Sequence, residues 1–194
     1  DQNLYILIEA MTGGSNFTTP NLKRDFEWYQ SDSVTLLFDT FSDATNAFSF
    51  ATNPLGLKAD GLISGGNQNF RTDRNNAWDT KWTVETTIEE GKYTVEIKIP
   101  FSAFFYDNTQ TSWRFNLYRR DFEGNETSVW TQTPQNQVIG NLGFMGKMIF
   151  ETPLKKARNP ISIIPFVSTA KFKDFENSNQ DTNFSVGGDA KIPI

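Results

Sequence analysis

The side chains able to do chemistry in this sequence are bounded first by two absences, since it contains no Cys and no His. Thiol nucleophiles, imidazole acid–base catalysis and zinc or copper sites built from those ligands are therefore excluded. Paired carboxylates, a hydroxyl with a Lys, and oxygen-ligand sites for calcium or magnesium remain. Glu85 and Glu96 are a carboxylate pair of the kind that glycoside hydrolysis uses, read as cross-strand neighbours on a solvent face. Nothing else assembles around them, so no catalytic residue is assigned. Asp39 and Asp43, with Asn46, could offer oxygen ligands to calcium, although a turn cap by Asp43 accounts for the same spacing. Arg119-Arg120-Asp121 and Arg71-Thr72-Asp73-Arg74 could hold a carboxylate or a sugar acid, or serve as paired charges at strand ends.

The aromatic residues divide by context. Trp28, Trp78 and Trp130 lie in polar, loop-like or strand-end surroundings, where a flat ring can stack on the apolar face of a pyranose while nearby amides, carboxylates or guanidinium groups collect its hydroxyls. The same three rings could instead pack the ends of a sandwich. Trp82 and Trp113 sit inside alternating runs and are read as core.

The elements that must position these side chains are strands. Aromatic residues make up 14% of the 194 residues, a composition that favours sheets. The apolar runs are short and separated by turn residues, giving strands at 4–9, 33–39, 47–52, 56–63, 80–88, 92–99, 113–119 and 146–151. Val34-Leu36-Phe38 and Tyr93-Val95-Ile97-Ile99 alternate with more polar neighbours, the pattern of antiparallel strands buried on one face. Thr12-Gly13-Gly14-Ser15, Asn53-Pro54, Ser64-Gly65-Gly66-Asn67, Glu90-Gly91 and Glu123-Gly124-Asn125 supply the breaks. Gly91 is placed in the left-handed position of a hairpin turn, and Phe101–Phe105 forms a short or single helical turn after Pro100. The whole reads as an antiparallel sandwich.

After Glu151 the run Thr152–Pro160 carries three Lys or Arg and two Pro with little to bury, which marks a linker at 152–160. Segments 161–172 and 182–192 flank the polar stretch 173–181 and read as one long hairpin. A lone hairpin is marginal in water, so it must pair with something else. Its strand length suits either a transmembrane barrel or a second soluble sheet. The first residues enter a strand-like run directly and the last stop inside one, so the chain reads as a fragment. The net charge of −5 provides no basic footprint for nucleic acid.

An ordered series of motifs carries a family resemblance: Trp28 with Asp32-Ser33-Val34-Thr35-Leu36-Leu37-Phe38-Asp39, Ala47-Phe48-Ser49-Phe50, Asn53-Pro54-Leu55-Gly56 and Trp78-Asp79-Thr80-Lys81-Trp82. It continues through Gly91–Ser102 and Trp113–Arg120. Over 1–151 the series resembles the family 9 carbohydrate-binding modules, in the version that precedes a large outer-membrane β-barrel in Gram-negative bacteria, and 161–194 resembles the start of that barrel. The resemblance implies an all-β fold, a sandwich over 1–151 lacking its first strands, a linker over 152–160, and a barrel hairpin over 161–194. It further implies a non-catalytic, carbohydrate-binding-like domain in the periplasm; the residue types and contexts described above make Trp28, Trp78, Trp130 and Arg119 the candidate sugar contacts. The expected partners are an oligosaccharide, subunits of an outer-membrane complex and the membrane itself through the barrel. Calcium at Asp39 and Asp43 is the one expected ion. A protein-docking domain and, less favoured, a glycoside hydrolase are the alternative readings.

Overall fold

The computed structural model describes residues 2–12, 16–69, 72–155, 162–173 and 180–191, which form two compact units, Asp1–Ala157 and Arg158–Ile194. Arg71, Gly13–Ser15, most of the expected linker and the middle of the expected polar loop lie outside the described residues. None of the described helical turns is long and apolar enough to cross a membrane, a statement that has no bearing on β-barrels.

In the first unit the strands are β1 (Asn3–Met11), β2 (Ser33–Asp39), β3 (Ala47–Thr52), β4 (Lys58–Ile63), β5 (Arg74–Asn75), β6 (Thr83–Glu89), β7 (Lys92–Pro100), β8 (Ser112–Asp121), β9 (Glu126–Val129) and β10 (Gly146–Ile149). They build two antiparallel sheets: β1-β7-β6, and β10-β8-β2-β3-β4-β5 with β9 also paired to β8. Between the sheets, Val34, Leu36, Phe38, Phe48 and Phe50 meet Tyr93, Val95, Ile97 and Ile99. Trp113 is fully buried at the centre of this core, with Phe38, Phe101, Phe104, Tyr106 and Phe150 packed around it. Burial of such rings, worth roughly 1.5–3 kcal/mol each, drives the sheets together. Trp82 is also buried in this core.

Strand β7 alternates as its sequence requires, burying Tyr93, Val95, Ile97 and Ile99 while exposing Glu96 and Lys98. Its hairpin with β6 turns through Gly91 at φ 75°, a conformation that costs glycine little, and Glu89 pairs with Lys92 across the turn. Phe101–Ala103 then forms a single 3-10 turn.

Strand β2 departs from expectation, because all of Ser33–Asp39 is buried instead of one face. The cause is a second apolar layer on the outer face of the larger sheet. Leu37, Ala47, Ala51, Ala59, Ile63 and Tyr118 point outward there and are covered by Phe26 and Trp28 from one segment and by Leu142 and Met145 from another. An alternation count registers only polarity, and Thr35 and Ser33 are polar residues that these covers happen to bury.

In the second unit, β11 (Ser162–Lys173) and β12 (Gln180–Lys191) pair antiparallel, with Val167 opposite Val186. The register places Pro165, Gly188, Val167, Val186, Thr169 and Phe184 on one face. The other face takes Ile164, Asp189, Phe166, Gly187, Ser168, Ser185, Ala170 and Asn183.

Candidate binding site

The segment 17–32 starts with Phe17 against Tyr93 of the inner core, covers the outer face of the larger sheet with Phe26 and Trp28, and is fastened where its ends meet and again in its middle. Where the ends meet, the Asp32 carboxylate accepts the Thr18 N–H at 2.6 Å and the Phe122 N–H at 3.1 Å, and the Asp32 N–H donates to the Thr18 carbonyl at 2.9 Å. In the middle the Asp25 N–H donates to the Lys58 carbonyl at 2.9 Å. Arg24 reaches the buried Asp60 at 2.5 Å and also pairs with Asp79. Burial pushes the Asp60 carboxyl above its ordinary range, while the Thr80 N–H, Trp82 and the Arg24 guanidinium pull it back. Held in this way, the segment presents Trp28 on a 3-10 turn, Trp28–Gln30.

Beneath the segment lies a cleft of about 440 Å³ lined by Asp25, Phe26, Glu27, Trp28, Tyr29, Ala59, Arg74 and Asn76. That volume falls within the range of small-ligand pockets, about 300–1,000 Å³. Trp28 is only 8% exposed, because Tyr118 packs edge-on against it with ring centroids 5.0 Å apart. Tyr29 is 45% exposed and stands nearly perpendicular to Trp28, so it is the more accessible ring at the cleft. Arg74 Nε donates to Asn76 Oδ1 at 2.6 Å. Both side chains lie flat on the sheet because Gly61 is beneath them: a Cβ there would come within 3.3 Å of each. An aromatic ring beside a guanidinium, an amide and two carboxylates is chemically suited to a polyhydroxylated ring.

The sequence candidates do not converge. Trp28 alone among the three loop tryptophans lines this cleft. Trp78 packs on Phe48 and Phe50 at the inner core. Trp130 is 58% exposed and rests on Phe115, over Gly146. Arg119 pairs with Asp121 at 3.1 Å and faces Tyr93 of the smaller sheet. Burial drives the Tyr93 phenol up to about 12 against the opposing pull of Arg119. Arg74 was legible only as part of a charged cluster, and Tyr29, Asn76, Asp25 and Glu27 were not singled out. The signal for Tyr29 was its position beside Trp28 in a polar run.

The remaining candidates have local partners. Asp39 is buried and accepts the backbone N–H groups of Phe41 at 3.2 Å and Ala44 at 2.8 Å, and Asp43 accepts that of Thr45 at 2.8 Å. No group of three metal-binding side chains gathers among the described residues. Glu85 and Glu96 are directly paired across β6 and β7 on the exposed face of the smaller sheet, apart from the cleft.

The sequence matches no family profile and no curated protein. The structure does have solved neighbours. A family 9 carbohydrate-binding module from Caldicellulosiruptor kristjanssonii in complex with cellotriose aligns with a TM-score of 0.53 and 20% identity, over 84% of this chain and 76% of that one. The glucose complex of a family 9 module from the same organism aligns with a TM-score of 0.53 and 19% identity, over 81% and 75%. A candidate carbohydrate-binding protein from Bacteroides uniformis ATCC 8492 aligns with a TM-score of 0.53 and 12% identity, over 77% and 72%. The chain is thus an all-β protein whose sandwich resembles the family 9 module fold.

Proposed function

We propose that the first unit is a non-catalytic carbohydrate-binding domain whose ligand lies in the cleft between Tyr29, Trp28, Arg74 and Asn76. The observation that carries this reading is the cleft itself: an accessible ring beside amide, guanidinium and carboxylate groups, on a fold shared with modules solved in complex with glucose and cellotriose. We further propose that this domain sits in the periplasm and that β11 and β12 open an outer-membrane barrel. Supporting this, β11 and β12 are 12 residues each and pair antiparallel along their length, long enough to cross an outer membrane as tilted strands.

The test is a tryptophan-fluorescence titration of the chain with neutral oligosaccharides, cellotriose among them, run with calcium and with chelator. A saturable change that Tyr29→Ala and Asn76→Ala abolish supports the reading, and a chelator-sensitive one adds calcium at Asp39 and Asp43. A flat response across the panel refutes sugar binding. It would favour a protein-docking domain, for which the exposed Trp130, away from the cleft, is the specific observation.

A further inference from the structure

At the other end of strands β2, β3 and β4 lies a second cavity of about 370 Å³, large enough for a small ligand. Its lining includes Phe41, Asn46, Phe48, Leu62, Asn75 and Phe105, and no charged side chain contributes to it. From this chemistry we infer that the cavity is a second binding site, and that its ligand is a neutral ring with an apolar face and hydroxyl edges, of the hexopyranose class. Phe41 and Phe105 are 49% and 58% exposed, so two large rings stand at the mouth instead of retreating into the core. Such rings offer faces to ring C–H groups. The Asn75 Oδ1 accepts the Ala77 N–H at 3.0 Å, leaving its amide NH2 available to donate. Asn46 makes no side-chain hydrogen bond among the described residues, and its amide can both donate and accept. A charged ligand would lose hydration here with no counter-charge to replace it.

The site is also held in place before any ligand arrives. Thr40 Oγ1 donates to the Phe105 carbonyl at 2.5 Å, which fixes the chain that carries one ring. The Asp39 carboxylate accepts from Phe41 and Ala44, which fixes the loop carrying the other ring and Asn46. Such preorganisation lowers the entropy lost on binding. Trp78 packs on Phe48 with centroids 5.4 Å apart, so it reports on the cavity floor from within the core.

The experiment is calorimetric titration of the full chain with methyl β-D-glucopyranoside and with cellotriose, with fluorescence recorded in parallel. Phe105→Ala and Asn46→Ala alter exposed side chains and keep the fold, which thermal unfolding verifies. We expect two classes of site. Each of these substitutions weakens one class by about tenfold or more and spares the other, which Tyr29→Ala removes. Loss confined to Phe105→Ala and Asn46→Ala upholds the second site even if the cleft under Trp28 binds nothing. Titrations that neither substitution changes overturn the second site, whether Tyr29→Ala abolishes binding or there is none to abolish.

Discussion

Replacing Arg24 with Ala removes the cation that faces Asp60 while leaving that carboxylate buried under the segment that forms the cleft. Breaking a fully buried ion pair costs about 3–5 kcal/mol, because the surviving charge keeps its desolvation penalty. Arg24 is 37% exposed, so water screens part of the interaction, and Asp60 keeps the Thr80 N–H at 2.8 Å. A loss of about 2 kcal/mol follows, which in a domain of this size lowers the melting temperature by roughly 4–8 °C. The pH dependence is the sharper signature. Burial already raises the Asp60 carboxyl in the folded state, so its contribution is fully present below the ordinary carboxylate value and is lost as pH rises through the folded value. Without Arg24 the folded value climbs further. The deficit of Arg24→Ala should therefore shrink between pH 7 and pH 5, and Asp60→Asn added to it should restore part of the stability at pH 7. Urea unfolding of the two variants and the parent at both pH values measures this. A deficit independent of pH, together with no recovery in the double variant, would show that Asp60 bears no uncompensated charge and would refute the reasoning.

Other outcomes follow from the same structure. Tyr93→Phe should remove a phenol ionising near pH 12 from the absorbance titration; because a raised phenol loses stability as pH climbs from about 10 to 12, the variant's unfolding should also depend less on pH there. Asp32→Ala strips acceptors from Thr18 and Phe122, and hydrogen exchange should accelerate in 17–31 and at the β8–β9 turn while the core strands stay protected. Gly146→Ala places a Cβ 2.7 Å from the Trp130 ring, so Trp130 must move; its near-ultraviolet circular dichroism should change at a cost of about 1 kcal/mol. Trp113→Ala should cost about 3–5 kcal/mol in chemical denaturation, with the surrounding rings unable to fill the void.

The strands that pack the core were legible because their chemistry is local: Tyr93, Val95, Ile97 and Ile99 declare a buried face two residues at a time. Strands β5 and β9 were not. Arg74-Asn75 and Glu126–Val129 have no apolar rhythm, and they are strands only because β4 and β8 offer them an edge. The cleft was half legible. Trp28 could be picked by type and context, but its burial depends on Tyr118, and its neighbours Arg74 and Asn76 lie in and just after β5, a strand that has no signal of its own. Arg119 illustrates the converse. The residues Arg119 and Arg120 look alike in sequence, yet β8 turns the first toward Tyr93 and the second toward Thr127 and Asn125, because neighbours in a strand face opposite ways.

Gly61 gives the cleft an adjustable floor. Its φ lies outside the left-handed region, so the backbone accepts a side chain; what resists is the Asn75 carbonyl at 3.0 Å and the polar atoms of Arg74 and Asn76 above it. One methyl there would act as a shim, pushing the guanidinium and the amide off the sheet together and the Asn75 carbonyl of β5 with them. The proposed sugar contacts of Arg74 and Asn76 are therefore adjustable from a position outside the cleft's lining, and Gly61→Ala, the smallest such change, alters them with β5 giving way by a few tenths of an ångström.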